Sequence, residues 1–458
     1  MRPRAPQGSP RPARVHLVNL GCPKNQVDAE VMLGLLSAAG YRIVETPAEA
    51  DLVIVNTCSF IRDAKEESIQ HILQAAALKR EGRCQAVVVS GCLAQRYPQE
   101  LLGLLPEADA FVGTGEFPRI AEIARAVMHG PPAQRRWITG HTALVTAALP
   151  RRRLGPPHYA YVKIAEGCDH TCRFCAIPGI RGPMQSRSRA DILREVRRLA
   201  AEGVREAILI SQDTTSYGRD RGERHALVRL LEELGTVPGL RWIRLHYLYP
   251  TRITAELLRC MAEIPTVCRY LDIPLQHSDR AVLRAMGRGG DAAGLTRLIA
   301  RARALVPDLV VRTSFITGFP GETAAQFSGL LRFVREIRFD RVGVFCYSDE
   351  DGTAAARLTP KVPPRVAEAR RARLMAVQAA ISEEKHGTLV GSLQEVLVDG
   401  TAPEYPEVQV GRSAGHAPEV DGRVYLTGPV TPPGTFVRVR IRQAFEYDLE
   451  GEILEVMD

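Results

Sequence analysis

The chain reads as an α/β protein in three parts: a doubly wound parallel sheet, a partial (β/α)6 barrel and a small antiparallel β-barrel. Three observations predict this. Apolar strand runs alternate with amphipathic helices over residues 14–130, and the alternation repeats on a larger scale over 158–350. Beyond residue 387 the helices stop, and short strands sit between Gly- and Pro-rich turns.

The opening MRPRAPQGSPRPAR is Pro- and Arg-rich and lacks the apolar stretch of a secretory signal, so residues 1–13 are expected to form a disordered basic tail. Residues 14–130 carry the strand runs RVHLVNL, ADLVIVN, QAVVVS and DAFVGTG. Helical patterns such as QVDAEVMLGLLSAAG and EESIQHILQAAALKR separate them. Residues 131–157, with GPPAQRRW and LPRRRLGPP, suit a linker. From residue 158 six strand candidates follow: YAYVKIAEG, EAILISQ, IRLHYL, YLDIPLQ, LVVRTSFITG and VGVFCYS. Six βα units are two short of a closed eight-strand barrel, which leaves a lateral mouth for a large substrate. The helix PRVAEARRARLMAVQAAISEEK trails this barrel to residue 386, and its arginines read as a solvated face. Residues 387–458 hold LQEVLVD, EVQVG, RVYLTG and FVRVRIRQAFEYDLEGEILE, the strands of the small barrel.

No apolar run approaches a membrane span, so no membrane partner is expected. Ten cysteines in 458 residues is far below disulfide-scaffold density. In a reducing, cytoplasmic setting, clustered thiols read first as metal ligands or catalytic groups.

Three of the ten stand in AEGCDHTCRFCAIPG as Cys168, Cys172 and Cys175, spaced C-x3-C-x2-C directly after a strand. Structural zinc takes four ligands, usually as two separated pairs, and no partner pair with CxxC spacing exists elsewhere. A disulfide would leave one thiol over. A [4Fe–4S] cluster held by three thiolates leaves one iron open for a substrate or cofactor.

This stretch resembles the cluster loop of the radical S-adenosylmethionine superfamily, C-x3-C-x-aromatic-C, with Phe174 in the aromatic position. The resemblance implies that the open iron binds S-adenosylmethionine and that the reduced cluster cleaves it to a 5′-deoxyadenosyl radical. FITGFPGET, residues 315–323, ends a strand and opens a helix at Glu322. Such Gly-rich loops admit anions and close backbone approach, which makes Gly318, Gly321 and Glu322 candidates for S-adenosylmethionine contact against the simpler reading of a tight turn. QDTTSYG (212–218) and LQHSD (275–279) also end strands on the presumed catalytic face, and His277 is either a ligand contact or a polar rim residue.

A second triad is spread out. HLVNLGC ends at Cys22, LVIVNTC at Cys58 and AVVVSGC at Cys92. Parallel strands end on one edge of a sheet, so these three are expected to converge there and to hold a second [4Fe–4S] cluster. Cys84 precedes the strand that Cys92 follows, which places it roughly 26 Å away at the opposite edge. It is expected to be structural, and Cys260, Cys268 and Cys346 are expected to lie in the core.

A radical generator beside a second open cluster suggests sulfur insertion into a C–H bond. The three-part order resembles the methylthiotransferase family: an N-terminal three-cysteine domain, a radical S-adenosylmethionine barrel and a terminal TRAM barrel. The resemblance covers residues 14 to 456. It implies Cys22, Cys58 and Cys92 for the auxiliary cluster and Cys168, Cys172 and Cys175 for the radical cluster. The resemblance further implies a second S-adenosylmethionine as methyl source, and the expected partners include a sulfide donor and an electron donor such as flavodoxin or ferredoxin.

One branch of that family modifies adenosine in tRNA, and another an aspartate of ribosomal protein uS12. The net charge is +8, but residues 386–458 hold five arginines and no lysine against twelve acids, a net −7 that leaves +15 on the rest. An acidic barrel repels phosphate and attracts a basic protein. GCPKNQVDAE, GRSAGHAPEVDG, KIAEGCDHTCRFCAIPGIRGPMQSRS and LQHSDRAVLRAMGR also resemble the uS12 branch. The expected partner is therefore uS12 or the small ribosomal subunit. The alternatives are a tRNA adenosine 2-methylthiotransferase, docking through the basic domains, and a non-catalytic iron–sulfur scaffold.

Overall fold

The computed structural model describes residues 11–130, 135–140 and 143–457. Most of the expected tail, and parts of the expected linker, lie outside them. By packing, the chain divides into two units. One comprises the chain up to Leu154 together with Gly179–Gly182; the other comprises Gly155–Pro178 and Pro183–Asp458.

In the first unit, buried apolar runs become strands and amphipathic stretches become helices. The order is β1 (Arg14–Asn19), α1 (Pro23–Ala38), β2 (Arg42–Ile43), β3 (Leu52–Thr57), α2 (Arg62–Arg80), β4 (Ala86–Gly91), α3 (Cys92–Arg96), α4 (Pro98–Leu104), β5 (Ala110–Val112), α5 (Ile120–His129) and β6 (Arg136–Trp137). The sheet is parallel throughout, in the order β2-β1-β3-β4-β5-β6. β3 and β4 are buried along their whole length, which is why they read as unbroken apolar runs rather than alternating ones. Val53, Val55, Val87, Val89 and Phe111 pack with Ile72 of α2 in one core.

The second unit holds both remaining sheet systems. Its first part runs β7 (Tyr159–Lys163), β8 (Ala165–Glu166), α6 (Ile177–Arg181), β9 (Gln185–Ser186), α7 (Arg189–Ala201), β10 (Glu206–Ile210), α8 (Ala226–Leu234), β11 (Trp242–Leu245), α9 (Ala255–Glu263), β12 (Tyr270–Gln276), α10 (Arg280–Ala285), α11 (Ala292–Leu305), β13 (Val310–Thr317), α12 (Ala324–Ile337), β14 (Arg341–Cys346) and α13 (Pro364–Gly387). The end of α6 sorts with the first unit. All six expected barrel strands form, but as two parallel triplets, β7-β10-β11 and β12-β13-β14. Between β11 and β12 the ladder shrinks to a single bridge at Ile243 and Val267. One apolar core, including Val162, Leu209, Ile243, Ile273, Phe315 and Leu330, continues across that break.

The terminal strands β15 (Leu393–Thr401), β16 (Gln409–Ser413), β17 (Val424–Thr427), β18 (Phe436–Ala444) and β19 (Leu449–Met457) close a barrel in the order β15-β16-β17-β19-β18. Closure departs from pure antiparallel pairing at one seam. β18 leaves β17 to pair with β15, so β19 returns from it running parallel to β17.

This barrel is welded to the larger one at the starts of the β7–β13 strands. Trp242, Cys268 and Tyr270 form a small core with Leu397, Ala417 and Phe436. Arg412, buried, bonds Glu206 at 2.7 Å and Asp399 at 2.8 Å, and Arg244 bonds Glu206 at 2.7 Å. Burial alone would raise the Glu206 carboxyl, but Arg412 and Arg244 outweigh it and hold the group below the usual carboxylate range. Tyr159 and Tyr161 donate to Glu419, Tyr270 donates to Asp421 at 2.6 Å, and Arg241 pairs with Glu395 at 2.8 Å. With Asp399 also bonded to His158 Nε2 at 2.8 Å, four of the twelve acids counted in the tail segment face the larger barrel, while Glu404, Glu452 and Glu455 pair with Arg423, Arg442 and Arg438. The sequence count overstates the acidity presented outward, because charge composition does not record which way a side chain faces.

Candidate functional site

The first unit gathers Cys22, Cys58 and Cys92 at the carboxyl ends of β1, β3 and β4. Register does this: Asn19, Asn56 and Ser90 lie side by side across the three strands. The backbone approaches closely there. Gly21 and Gly91 have φ of +91° and +96°, and a Cβ on Gly21 would stand 3.0 Å from the Cys58 sulfur, one on Gly91 2.7 Å from Asn56 Oδ1. Buried polar side chains hold the edge. Asn25 donates to the carbonyls of Leu20 (2.7 Å) and Thr57 (3.1 Å), Asn56 donates to Asn19 and to the Asn25 carbonyl, and Thr57 donates to the Ser90 carbonyl. Ser68 of α2 bonds both the N–H and the carbonyl of Cys58. Burial, then the neighbouring Cys92 and Cys22, push the Cys58 thiol up to about 12. Cys84 lies before β4, where its thiol donates to the Ala86 carbonyl at 3.0 Å.

A buried arginine completes this set. Arg181, at the end of α6, donates to Asp28 (2.7 Å), Asn25 (3.0 Å) and the Cys92 sulfur (3.4 Å). Sequence reading passed over it, because only its place in IPGIRG, just beyond the cysteine loop, marked it.

In the second unit the loop after β8 carries Cys168, Cys172 and Cys175. Arg173 N–H donates to the Met286 carbonyl, and Arg288 reaches the Cys172 sulfur at 3.8 Å while lying over the Tyr249 ring. His170, a potential metal ligand in the same loop, is held by other partners. Its Nε2 bonds Asp213 at 2.7 Å and its ring stacks on Tyr249. Burial alone would raise Asp213, but bonds from His170, Ser216 and Thr215 hold it below the usual range. Burial, then Cys172 and Cys168, push the Cys175 thiol up to about 12. Binding a metal at either set must therefore displace thiol protons.

Phe174 packs with Met286 and Phe319, which brings the 318–322 loop beside the cysteine loop. Gly318 and Gly321 have φ near +80°. Glu322 does not face outward. It is 4% exposed, accepts from the Gly318 N–H and pairs with Arg370 at 3.1 Å, so it closes the loop on itself. His277 is fully buried rather than at a rim, with Nε2 3.6 Å from Glu322. Cys260 and Cys268 are buried, but Cys346 is not a core residue. It lies at the end of β14, with its thiol 3.3 Å from Glu368.

Among the described residues no three His, Cys, Asp or Glu side chains close on a single metal ion. A four-iron cluster does not ask this, since each thiolate binds a different iron. Three soft sulfurs at each set, among the described residues, suit such a cluster.

Family models match all three segments: "Uncharacterized protein family UPF0004" at residues 14–113, the radical SAM superfamily at 162–334 and the TRAM domain at 390–454. A relative from Syntrophus aciditrophicus is 48% identical over 98% of this chain and 100% of its own length. One from Pelotomaculum thermopropionicum is 49% identical over 96% of this chain and 99% of its own. A third, from Sorangium cellulosum, is 48% identical over 96% and 91%. Each is named ribosomal protein uS12 methylthiotransferase RimO. Among solved structures, the radical S-adenosylmethionine methyltransferase TsrM from Kitasatospora setae is similar with a TM-score of 0.56, at 15% identity over 81% of this chain and 89% of that one, a likeness of fold alone. With all three segments matched in order and near-half identity along nearly the whole chain, the protein belongs to the ribosomal protein uS12 methylthiotransferase (RimO) family of radical SAM enzymes.

Proposed function

We propose that this protein inserts sulfur and a methyl group at the β-carbon of an aspartate of ribosomal protein uS12. The observation that carries this reading is 48% identity, over 98% of the chain, to a relative of that name. Residues 158–386 are assigned to the radical barrel with its trailing helix, 14–130 to the auxiliary domain and 387–458 to the TRAM barrel. Cys168, Cys172 and Cys175 are assigned to one [4Fe–4S] cluster, and Cys22, Cys58 and Cys92 to a second. When bound, the first cluster with S-adenosylmethionine supplies a 5′-deoxyadenosyl radical, and the second supplies an open iron for the sulfur.

The chain's own residues set the conditions. Arg288, Tyr249 and the His170–Asp213 pair fix the loop cysteines. Phe174 and the backbone at Gly318 and Gly321 flank the S-adenosylmethionine site, with Glu322 shaping that loop from inside. The reading includes a sulfide donor, an electron donor such as flavodoxin or ferredoxin, and a cytoplasmic setting. No helix among the described residues is long and apolar enough to cross a membrane.

The test is anaerobic reconstitution with iron and sulfide, followed by reductant, S-adenosylmethionine, and either small ribosomal subunits or bulk tRNA. Mass spectrometry then follows uS12 peptides and digested nucleosides. A methylthio increment on a uS12 aspartate, with nucleosides unchanged, is the expected result. The increment on adenosine instead would overturn the substrate assignment.

A further inference from the structure

Arg181 is a buried charge that neither the fold nor the reading above accounts for. Its side chain is 2% exposed, and a buried ion is costly unless it is well paired. Asp28, 5% exposed, pairs with Nη1 at 2.7 Å and would suffice for a structural ion pair. The other nitrogen, Nη2, is aimed elsewhere: at Asn25 Oδ1, 3.0 Å away, and at the Cys92 sulfur, 3.4 Å away. Asn25 is itself held by Leu20 and Thr57, which turns its carbonyl oxygen toward the guanidinium.

We propose that Arg181 is a positioning residue for the auxiliary cluster. It donates a hydrogen bond to a ligand sulfur and, with Asp28 as counter-charge, sets how readily that cluster accepts an electron. The proposal rests on Cys22, Cys58 and Cys92 being cluster ligands. One-electron reduction by a low-potential donor makes the cluster one unit more negative, with no bond broken. Hydrogen bonds to sulfur and nearby positive charge favour that reduced form. Asp28 opposes the guanidinium's charge, so the two residues act with opposite sign. A purely structural pair has no such sign rule, because breaking it from either side does the same damage.

The experiment uses the full chain carrying Cys168→Ala, Cys172→Ala and Cys175→Ala, reconstituted with iron and sulfide so that only the auxiliary set is loaded. Iron content is measured first, then the midpoint potential by dithionite titration with electron paramagnetic resonance detection. Arg181→Gln is expected to lower the midpoint and Asp28→Asn to raise it. Each shift corresponds to about a tenfold change in the reduced-to-oxidised ratio at fixed potential, or about 59 mV for one electron. Arg181→Lys is expected to fall between Arg181→Gln and the parent. No shift, or shifts of one sign in both variants, would overturn the proposal. If Arg181→Gln fails to take up iron, Asp28→Asn decides alone: a fall or no change refutes it. A parent that binds no iron refutes the cluster reading itself, which the iron content reveals before any potential is measured.

Discussion

Cys168, Cys172 and Cys175 lie within eight residues of one loop, whereas Cys22, Cys58 and Cys92 come from three strand ends, 36 and 34 residues apart. The loop set depends on local chain direction and a few props, chiefly Arg288 and the Met286 carbonyl. The strand set depends on sheet register, which aligns Thr57 with Gly91 and Val18 with Val55. A one-residue slip would turn those strand residues to the opposite face. Yet both sets end alike, with an arginine from elsewhere in the chain donating to one sulfur. The same donor chemistry can be written into a motif or into a topology, and the two should fail differently.

The largest effect comes from removing one proposed ligand from each. Cys172→Ala should abolish both 5′-deoxyadenosine formation and methylthiolation. Cys58→Ala should abolish methylthiolation while 5′-deoxyadenosine formation persists. Chromatography of the nucleoside and mass spectrometry of uS12 separate the cases, and each variant should lose about four irons per chain. Loss of both activities in Cys58→Ala would erase the distinction.

Next, Arg412→Met removes the partner of Glu206 and Asp399 without touching either set. Breaking a buried pair costs about 3–5 kcal/mol, so chemical denaturation should show a loss of that order with iron content unchanged.

Gly91→Ala attacks register-dependent geometry alone. The added Cβ meets Asn56 and Thr57 at 2.7 Å on a backbone with φ +96°, a strain of about 1–3 kcal/mol. Thermal unfolding should register it, and iron should be lost from the strand set while S-adenosylmethionine cleavage survives.

The smallest effect is a pH dependence. Burial lowers His246 to about 4, against an ordinary value of 6.5. Its contribution is present above pH 6.5 and is lost as the pH falls from there toward 4, because the unfolded chain takes up the proton first. His246→Gln should flatten the stability curve in that window, as read by denaturant midpoints at pH 7, 5.5 and 4.5.

Much of this was legible in the chain because strands buried on both faces leave unbroken apolar runs. That pattern before Cys58 and Cys92, with the half-buried strand β1 before Cys22, located one sheet edge. Long-range partners left no such trace. Arg288 reaches Cys172 from 116 positions away, and Arg181 reaches Cys92 from 89. His277 read as a rim residue or a ligand contact, and Glu322 as a ligand candidate, because their loops at strand and helix ends were visible but their burial was not. Asp399, Glu419 and Asp421 counted toward an outward acidic surface, although they bond residues of the larger barrel. The ladder break at Ile243 and Val267 likewise depends on tertiary packing.

The weld between the two barrels also constrains how this protein is born. Synthesis runs from the N-terminus, so Glu206 and Arg244 leave the ribosome long before Arg412. Until Arg412 follows, Glu206 must stay hydrated or share Arg244 alone, and the base of the larger barrel cannot seal. The last strands to be translated therefore decide when the middle of the chain is finished. A message cut short before them yields a nascent barrel with an open, charged floor, a substrate for proteolysis rather than a smaller enzyme.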